Sequence, residues 1–202
     1  MKSIIGYKEL SKQFVGGQYE FCFDYPGFYQ YIASKKFNKM VELGNYYGWS
    51  SCFLCNERKT YDDNFIVYAV DLHDMPLVKE SLGTGYAEID FMRKRQFRLF
   101  ETNVKNHNLQ DYITVIKSCS WEAATLFEDN SVDFVFIDAD HQYESVKKDI
   151  TAWYPKIKIG GIMSGHDYIS KFGVADAVNS FFGKRYQVWE EGLCNVWYTT
   201  KE

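Results

Sequence analysis

At 202 residues, 46% of them hydrophobic and 18% aromatic, the chain can bury one substantial core and is short for two. Its formal net charge of -4 excludes a surface built for nucleic acid, which needs clustered Lys and Arg. Arg93-Lys94-Arg95 is the one basic run of three and reads as a solvated face.

The opening residues Met1-Lys2-Ser3-Ile4-Ile5 lack the apolar stretch of a signal peptide, and no run approaches the roughly 20 apolar residues of a membrane span, so a cytoplasmic protein is expected. Residues 1–35 carry Phe14, Tyr19, Phe21, Phe23, Tyr25, Phe28, Tyr29 and Tyr31, too aromatic for a disordered tail. They read as a lid or flap before a main unit at 36–202, within one compact domain, either closing over a substrate side or covering a sheet edge.

Strands are predicted at Lys39 to Leu43, Phe65 to Val70, Ile113 to Ile116, Val132 to Ile137 and Ile162 to Ser164. Helical spacing lies between them: Tyr143, Val146, Ile150 and Trp153 after the fourth strand, and Val174, Ala177, Val178 and Phe181 after the fifth. Such alternation implies right-handed crossovers and a parallel sheet covered on both faces. Tyr186 to Trp189 and Asn195 to Thr199 then read as a hairpin that adds an antiparallel edge. Five cysteines at irregular spacing do not make a disulfide framework, and Cys52-x-x-Cys55 falls inside an apolar helix with no second pair to complete a zinc site, so buried thiols are expected.

The first, second and fourth strands end in a glycine turn or a carboxylate, which delivers polar groups to one sheet edge. Gly44-x-x-x-Gly48 follows the first strand without the G-x-G-x-x-G that brings a backbone close to a pyrophosphate. Ser50 stands where the next helix begins, suited to an incoming carboxylate. Asp71 ends the second strand and can accept from two ribose hydroxyls; its alternative is an ordinary loop carboxylate. Trp121, after Ser120, can stack on a base or simply fill core.

The segments Val41 to Ser50, Asp71, Ser120-Trp121-Glu122, Asp138-Ala139-Asp140-His141-x-Tyr143-Glu144 and Gly160-Gly161-x-x-x-Gly165-His166-Asp167-Tyr168 resemble the class I S-adenosylmethionine (SAM) methyltransferases. Within that class they are similar to the small metal-dependent O-methyltransferases of the macrocin branch, near the catechol and caffeoyl-CoA enzymes. The similarity runs from about Phe28 to the C-terminus, including an insertion from His73 to Arg98. It implies an α/β fold: a Rossmann-like, doubly wound, mostly parallel seven-stranded sheet with an antiparallel C-terminal hairpin and helices on both faces. The SAM positions it implies are Glu42, Gly44, Tyr46, Gly48, Ser50, Asp71, Leu72, Ser120 and Trp121, with Asp138 shared between cofactor and metal.

Methyl transfer to a hydroxyl is an in-line displacement that must also remove a proton, and a divalent metal, Mg²⁺ or Mn²⁺, meets both needs. The ligands implied by the resemblance are Asp138, His166 and Asp167. His166 departs from the acid or amide of the catechol-type enzymes; it selects a softer metal than Mg²⁺, or acts as a base or orienting group, or only satisfies a turn. His141 stands where those enzymes carry a catalytic lysine and is the preferred base, with Asp140 competing; each also has a helix-start reading. Alternatives are a metal-independent methyltransferase with a histidine base, a cephalosporin hydroxylase-like metal enzyme, and a nucleotide-binding module without catalysis. Tyr86, Phe91, Met92 and Phe97 of the insertion are expected to form an apolar lid or sugar platform. By the resemblance the acceptor is the hydroxyl of a small molecule, a sugar or natural product, with no nucleic acid or membrane partner and with a homo-oligomer permitted.

Overall fold

In a computed structural model the described residues are 25–75, 86–169, 173–191 and 195–202, with the backbone alone for 86–92. Five parallel strands, β1 (Lys39–Leu43), β2 (Ile66–Asp71), β3 (Ile113–Lys117), β4 (Val132–Ile137) and β5 (Ile157–Gly165), are followed by a hairpin of β6 (Gln187–Trp189) and β7 (Val196–Thr200), in which β7 alone runs antiparallel to the rest. They form one seven-stranded sheet in the order β3-β2-β1-β4-β5-β7-β6. This is the doubly wound, Rossmann-like architecture expected, with the hairpin on its edge. β5 is longer than predicted. Gly160-Gly161 punctuates the sequence and suggests a late start, but the strand passes through it as an irregularity, with Gly160 at φ +79° and a register shift opposite Val132 and Phe134. Backbone bonds to Lys201 on the other side, at 2.8 and 2.9 Å, keep the segment in the sheet.

The period of two sorts the strand side chains between two cores. Met40, Val67, Ala69, Phe134 and Phe136 face α1 (Pro26–Ser34), α2 (Trp49–Lys59) and α3 (Tyr86–Asn106). Val41, Leu43, Val70, Val135 and Ile137 face α4 (Ser120–Ala123), α5 (Tyr143–Trp153) and α6 (Val174–Phe182). Cys52 and Cys55 are free and fully buried in α2, and burial pushes both thiols up, which makes them packing groups. Among the described residues no helix is long and apolar enough to cross a membrane.

Of the aromatic N-terminal segment, residues 1–24 lie outside the described residues. The remainder starts α1 at Pro26, whose missing N–H costs nothing in a first helical turn. Phe28, Tyr29, Ile32 and Ala33 are buried, so α1 shares the core of β4 rather than standing apart from it. The N–H groups of Gly27 and Phe28, at the helix start, donate to the two oxygens of Glu191, at 3.0 and 3.1 Å, and Phe28 N–H is shared with Tyr25 O. Phe97, expected on a lid, is instead buried beside His73 and Phe100 because α3 lays it against the core; the side chains of Tyr86, Phe91 and Met92 lie outside the described residues.

α5 buries one acid. Asp149 is fully buried, and neither carboxylate oxygen has a well-formed hydrogen bond among the described residues. Burial pushes its carboxyl up to about 7, the Ser120 hydroxyl nearby opposing the shift and Asp140 adding to it. The unfolded chain ionises this group near its ordinary pKa of about 4. The stability contributed by this group is therefore fully present below that pH and is lost as pH rises to about 7, where the folded carboxyl finally ionises. Asp149→Asn is expected to stabilise the protein at pH 8 by on the order of a few kcal/mol and to change little at pH 4. Urea unfolding at the two pH values checks this, and equal effects at both would refute it.

Candidate active site

The strand order reverses between β1 and β4, and the carboxyl ends of these strands open a crevice there. Its floor is set by Gly44, whose N–H bonds to Val70 O at 2.8 Å while Asp138 N–H bonds to Leu43 O at 2.8 Å. Gly44 has φ +83°, and a Cβ there would lie 2.1 Å from the Asp138 carbonyl oxygen. Only glycine lets the first loop pass so close to the fourth strand. Gly48, at φ +78°, turns the chain into α2 beneath Phe100.

The resulting cavity of about 670 Å³ is lined by Gly44, Tyr46, Ser50, Asp71, Leu72, Ser120, Trp121 and Asp138 among the predicted cofactor positions. Asp140, His166 and Asp167 also reach it. Asp71 is held by two backbone donors, Asn45 N–H on Oδ2 at 2.8 Å and His73 N–H on Oδ1 at 3.1 Å. Each oxygen keeps a lone pair for a ligand. Asn45, Tyr47, Trp49 and Gln96 line the cavity as well; sequence reasoning passed over them because they carry no distinctive pattern.

Gly48 and Glu42 do not line the cavity. Glu42 is 1% exposed, behind the glycine turn. Its Oε1 accepts from Tyr29 Oη at 3.0 Å, and its Oε2 accepts from Asn45 Nδ2 at 3.2 Å and from the Ser51 hydroxyl. Burial raises its carboxyl to about 6, with hydrogen bonds from Ser50, Ser51 and Tyr29 holding it from going higher. Glu42 thus ties the turn to α1 and α2.

Beyond Asp138 the cavity ends in a cluster of two carboxylates and two imidazoles. Gly165 lets the end of β5 lie flush on β4, since a Cβ there would sit 2.7 Å from Ile137 O, and this brings His166 and Asp167 up to Asp138. His141 Nε2 lies 2.9 Å from Asp167 Oδ2 and 3.5 Å from Asp138 Oδ1. His166 Nδ1 lies 3.4 and 3.7 Å from the same two atoms. Hydrogen bonds to Asp138 and then Asp167 raise His141 to about 10. Burial works against His166, but the same two acids carry it to about 10. Burial opposes ionisation of Asp167, and the two imidazoles overcome it, holding the carboxyl well below the usual range. Asp140 is occupied otherwise: Oδ1 accepts from Gln142 N–H at 3.2 Å and Oδ2 from the Ser145 hydroxyl at 2.6 Å, which starts α5. Of the three residues offered as bases, His141 and His166 are drawn into the acid cluster and Asp140 is not.

Residues 41–168 match the family model of a methyltransferase domain. The chain belongs to this methyltransferase family. No curated protein matches the methyltransferase in sequence. Among solved structures it is similar to the O-methyltransferase NovP, at 16% identity and a TM-score of 0.66, over 88% of this chain and 79% of that one. An O-methyltransferase from Bacillus cereus in complex with SAH is similar at 14% identity and a TM-score of 0.55, over 87% and 80%. A SAM-dependent O-methyltransferase from Thermotoga maritima matches at 14% identity and a TM-score of 0.61, over 89% of this chain and 66% of that one. At these identities the likeness is one of fold.

The Glu42 network makes the methyltransferase's glycine turn depend on one buried acid. Glu42→Ala strands the Tyr29, Asn45 and Ser51 donors and is expected to cost about 2–4 kcal/mol in urea unfolding. A loss below about 1 kcal/mol would mean the turn is held by something else.

Proposed function

We propose that this methyltransferase moves the methyl group of SAM to a hydroxyl of a small molecule, a sugar or natural product, with a divalent cation at the reacting centre. The observation that carries the reading is the cluster of Asp138, His141, His166 and Asp167 at the end of a cavity whose other walls suit an adenosine and an amino acid.

The donor set fits a cation. One ligand atom each from Asp138, His141 and Asp167 lie within 4.8 Å of one another. Metal–ligand bonds of about 2.1 Å place neighbouring ligands about 3 Å apart, close to the nitrogen–oxygen separations of the cluster. The charge also fits: two carboxylates that hold two imidazoles as cations can hold one divalent ion in place of the two protons. The same acids make a poor setting for a neutral imidazole base, which weighs against the metal-independent alternative. A nitrogen donor beside two carboxylates favours Mn²⁺ or another transition ion over Mg²⁺.

A bound divalent cation supplies Lewis acidity that lowers the pKa of a hydroxyl and fixes its oxygen. The chain's own residues do the remaining work. Asp71 accepts the ribose hydroxyls and Trp121 offers its face to the adenine. The open turn at Gly44 and the N–H groups at the start of α2, near Ser50, receive the methionine carboxylate. Asp138, at the junction of both halves, sets where the accepting oxygen meets the sulfonium methyl, as an in-line displacement demands.

Calorimetric titration of the chelator-treated protein with SAM, alone and with Mn²⁺, tests the reading. Saturable SAM binding is expected, weakened by about 1–3 kcal/mol in Asp71→Ala. Asp138→Ala is expected to abolish turnover and Mn²⁺ binding while leaving SAM affinity within a few-fold. Absence of SAM binding in every condition overturns methyl transfer and favours a hydroxylase-like enzyme; full turnover after chelation overturns the role of the metal.

A further inference from the structure

We propose that Tyr25 is a positioning residue of the reacting centre, fixing Asp138 and His166 at once, and that Glu191 anchors it from the edge hairpin. The inference rests on the metal reading above and concerns residues that reading does not use.

Tyr25 is 1% exposed, at the residue just before α1. Its ring stacks on Tyr29 and Phe136, at centroid distances of 5.5 and 5.6 Å, and lies 4.5 Å from the ring of His166. A ring serving only as filling would be more stable as phenylalanine, since a buried hydroxyl costs free energy unless it is bonded. The Tyr25 hydroxyl reaches the site: Oη donates to Asp138 Oδ2 in a long bond of 3.4 Å. The other oxygen of that carboxylate, Oδ1, is the one that faces His141 and His166. Tyr25 thereby divides Asp138 into one oxygen held by the phenol and one presented to the cluster. The same ring limits the rotation of His166. A residue that orients a ligand and the imidazole beside it from behind raises metal affinity without touching the metal.

The position of Tyr25 is set at a distance. Glu191 receives the N–H groups of Gly27 and Phe28, and Trp189 Nε1 donates to Glu191 Oε2 at 2.9 Å. Trp189 in turn packs on Phe28 and Tyr31. A Cβ at Gly27 would meet Glu191 Oε2 at 2.9 Å, so glycine admits the carboxylate against the backbone. The edge hairpin therefore holds the helix that holds the phenol.

The test uses the full chain, with Mn²⁺ affinity read from the electron paramagnetic resonance signal of the free ion and with SAM affinity and unfolding midpoint measured alongside. Tyr25→Phe keeps the ring and is expected to weaken Mn²⁺ binding roughly 10-fold while SAM affinity without metal and the unfolding midpoint stay unchanged. Tyr25→Leu, which also frees His166, is expected to weaken it further, and Glu191→Ala to weaken it while Tyr25 is retained. An unchanged Mn²⁺ affinity in Tyr25→Phe, with binding still lost in Asp138→Ala, overturns this inference and leaves the metal reading standing. A parallel fall of Mn²⁺ affinity, SAM affinity and midpoint in Tyr25→Phe assigns the residue to the core alone and overturns it too. No Mn²⁺ binding by the unaltered protein overturns the metal reading and this inference with it.

Discussion

The close approach of Gly44 to the Asp138 carbonyl is the constraint on which the rest of the site depends. A Cβ at that position would lie 2.1 Å from the oxygen, so the first loop can cross the end of the fourth strand only because no side chain intervenes. That crossing turns Asn45 N–H toward Asp71, opens the crevice between two strands that are neighbours in space and far apart in sequence, and leaves Asp138 as the wall shared by both halves of the cavity.

Three acids near this edge are handled in three physical ways. Asp71 is held by backbone N–H groups, which fix its direction and leave acceptor capacity toward the cavity. Glu42 is buried and surrounded by side-chain donors, so it acts as a structural tie. Asp167 is compensated by charge, between two imidazoles, and that compensation is what a cation can replace. Residue type alone does not separate these cases; the donors around each carboxylate do.

Much of the sheet was legible in the sequence, because buried parallel strands are continuous β-branched and aromatic runs and the intervening helices keep their period. β4 has the limits its composition suggests, whereas the start of β5 was hidden by Gly160-Gly161, a pair that punctuates a loop as readily as it makes an irregular strand. The cavity-lining positions follow from which residues end the strands. Glu42 shows where that argument stops: the period of two places it on the Met40 side of β1, toward α1, and not at the strand's end. The first aromatic segment signalled burial but not its partner, since ring-rich sequence carries no address. Tyr25 and Glu191, 166 positions apart in sequence, meet only through tertiary packing around α1.

The bond between the start of α1 and Glu191 also orders events during biosynthesis. Gly27 and Glu191 are separated by 164 positions, so this contact cannot form until Glu191 has been made, and the closure of so long a loop comes after the local strand and helix pairings that reward the chain sooner. A nascent chain can therefore assemble β1 to β4 and the Asp71 side of the crevice while the phenol beside Asp138 is still without its anchor. A segment late in the order of synthesis is the one that brings the first described residue to its final place, and competence for chemistry trails behind competence to fold.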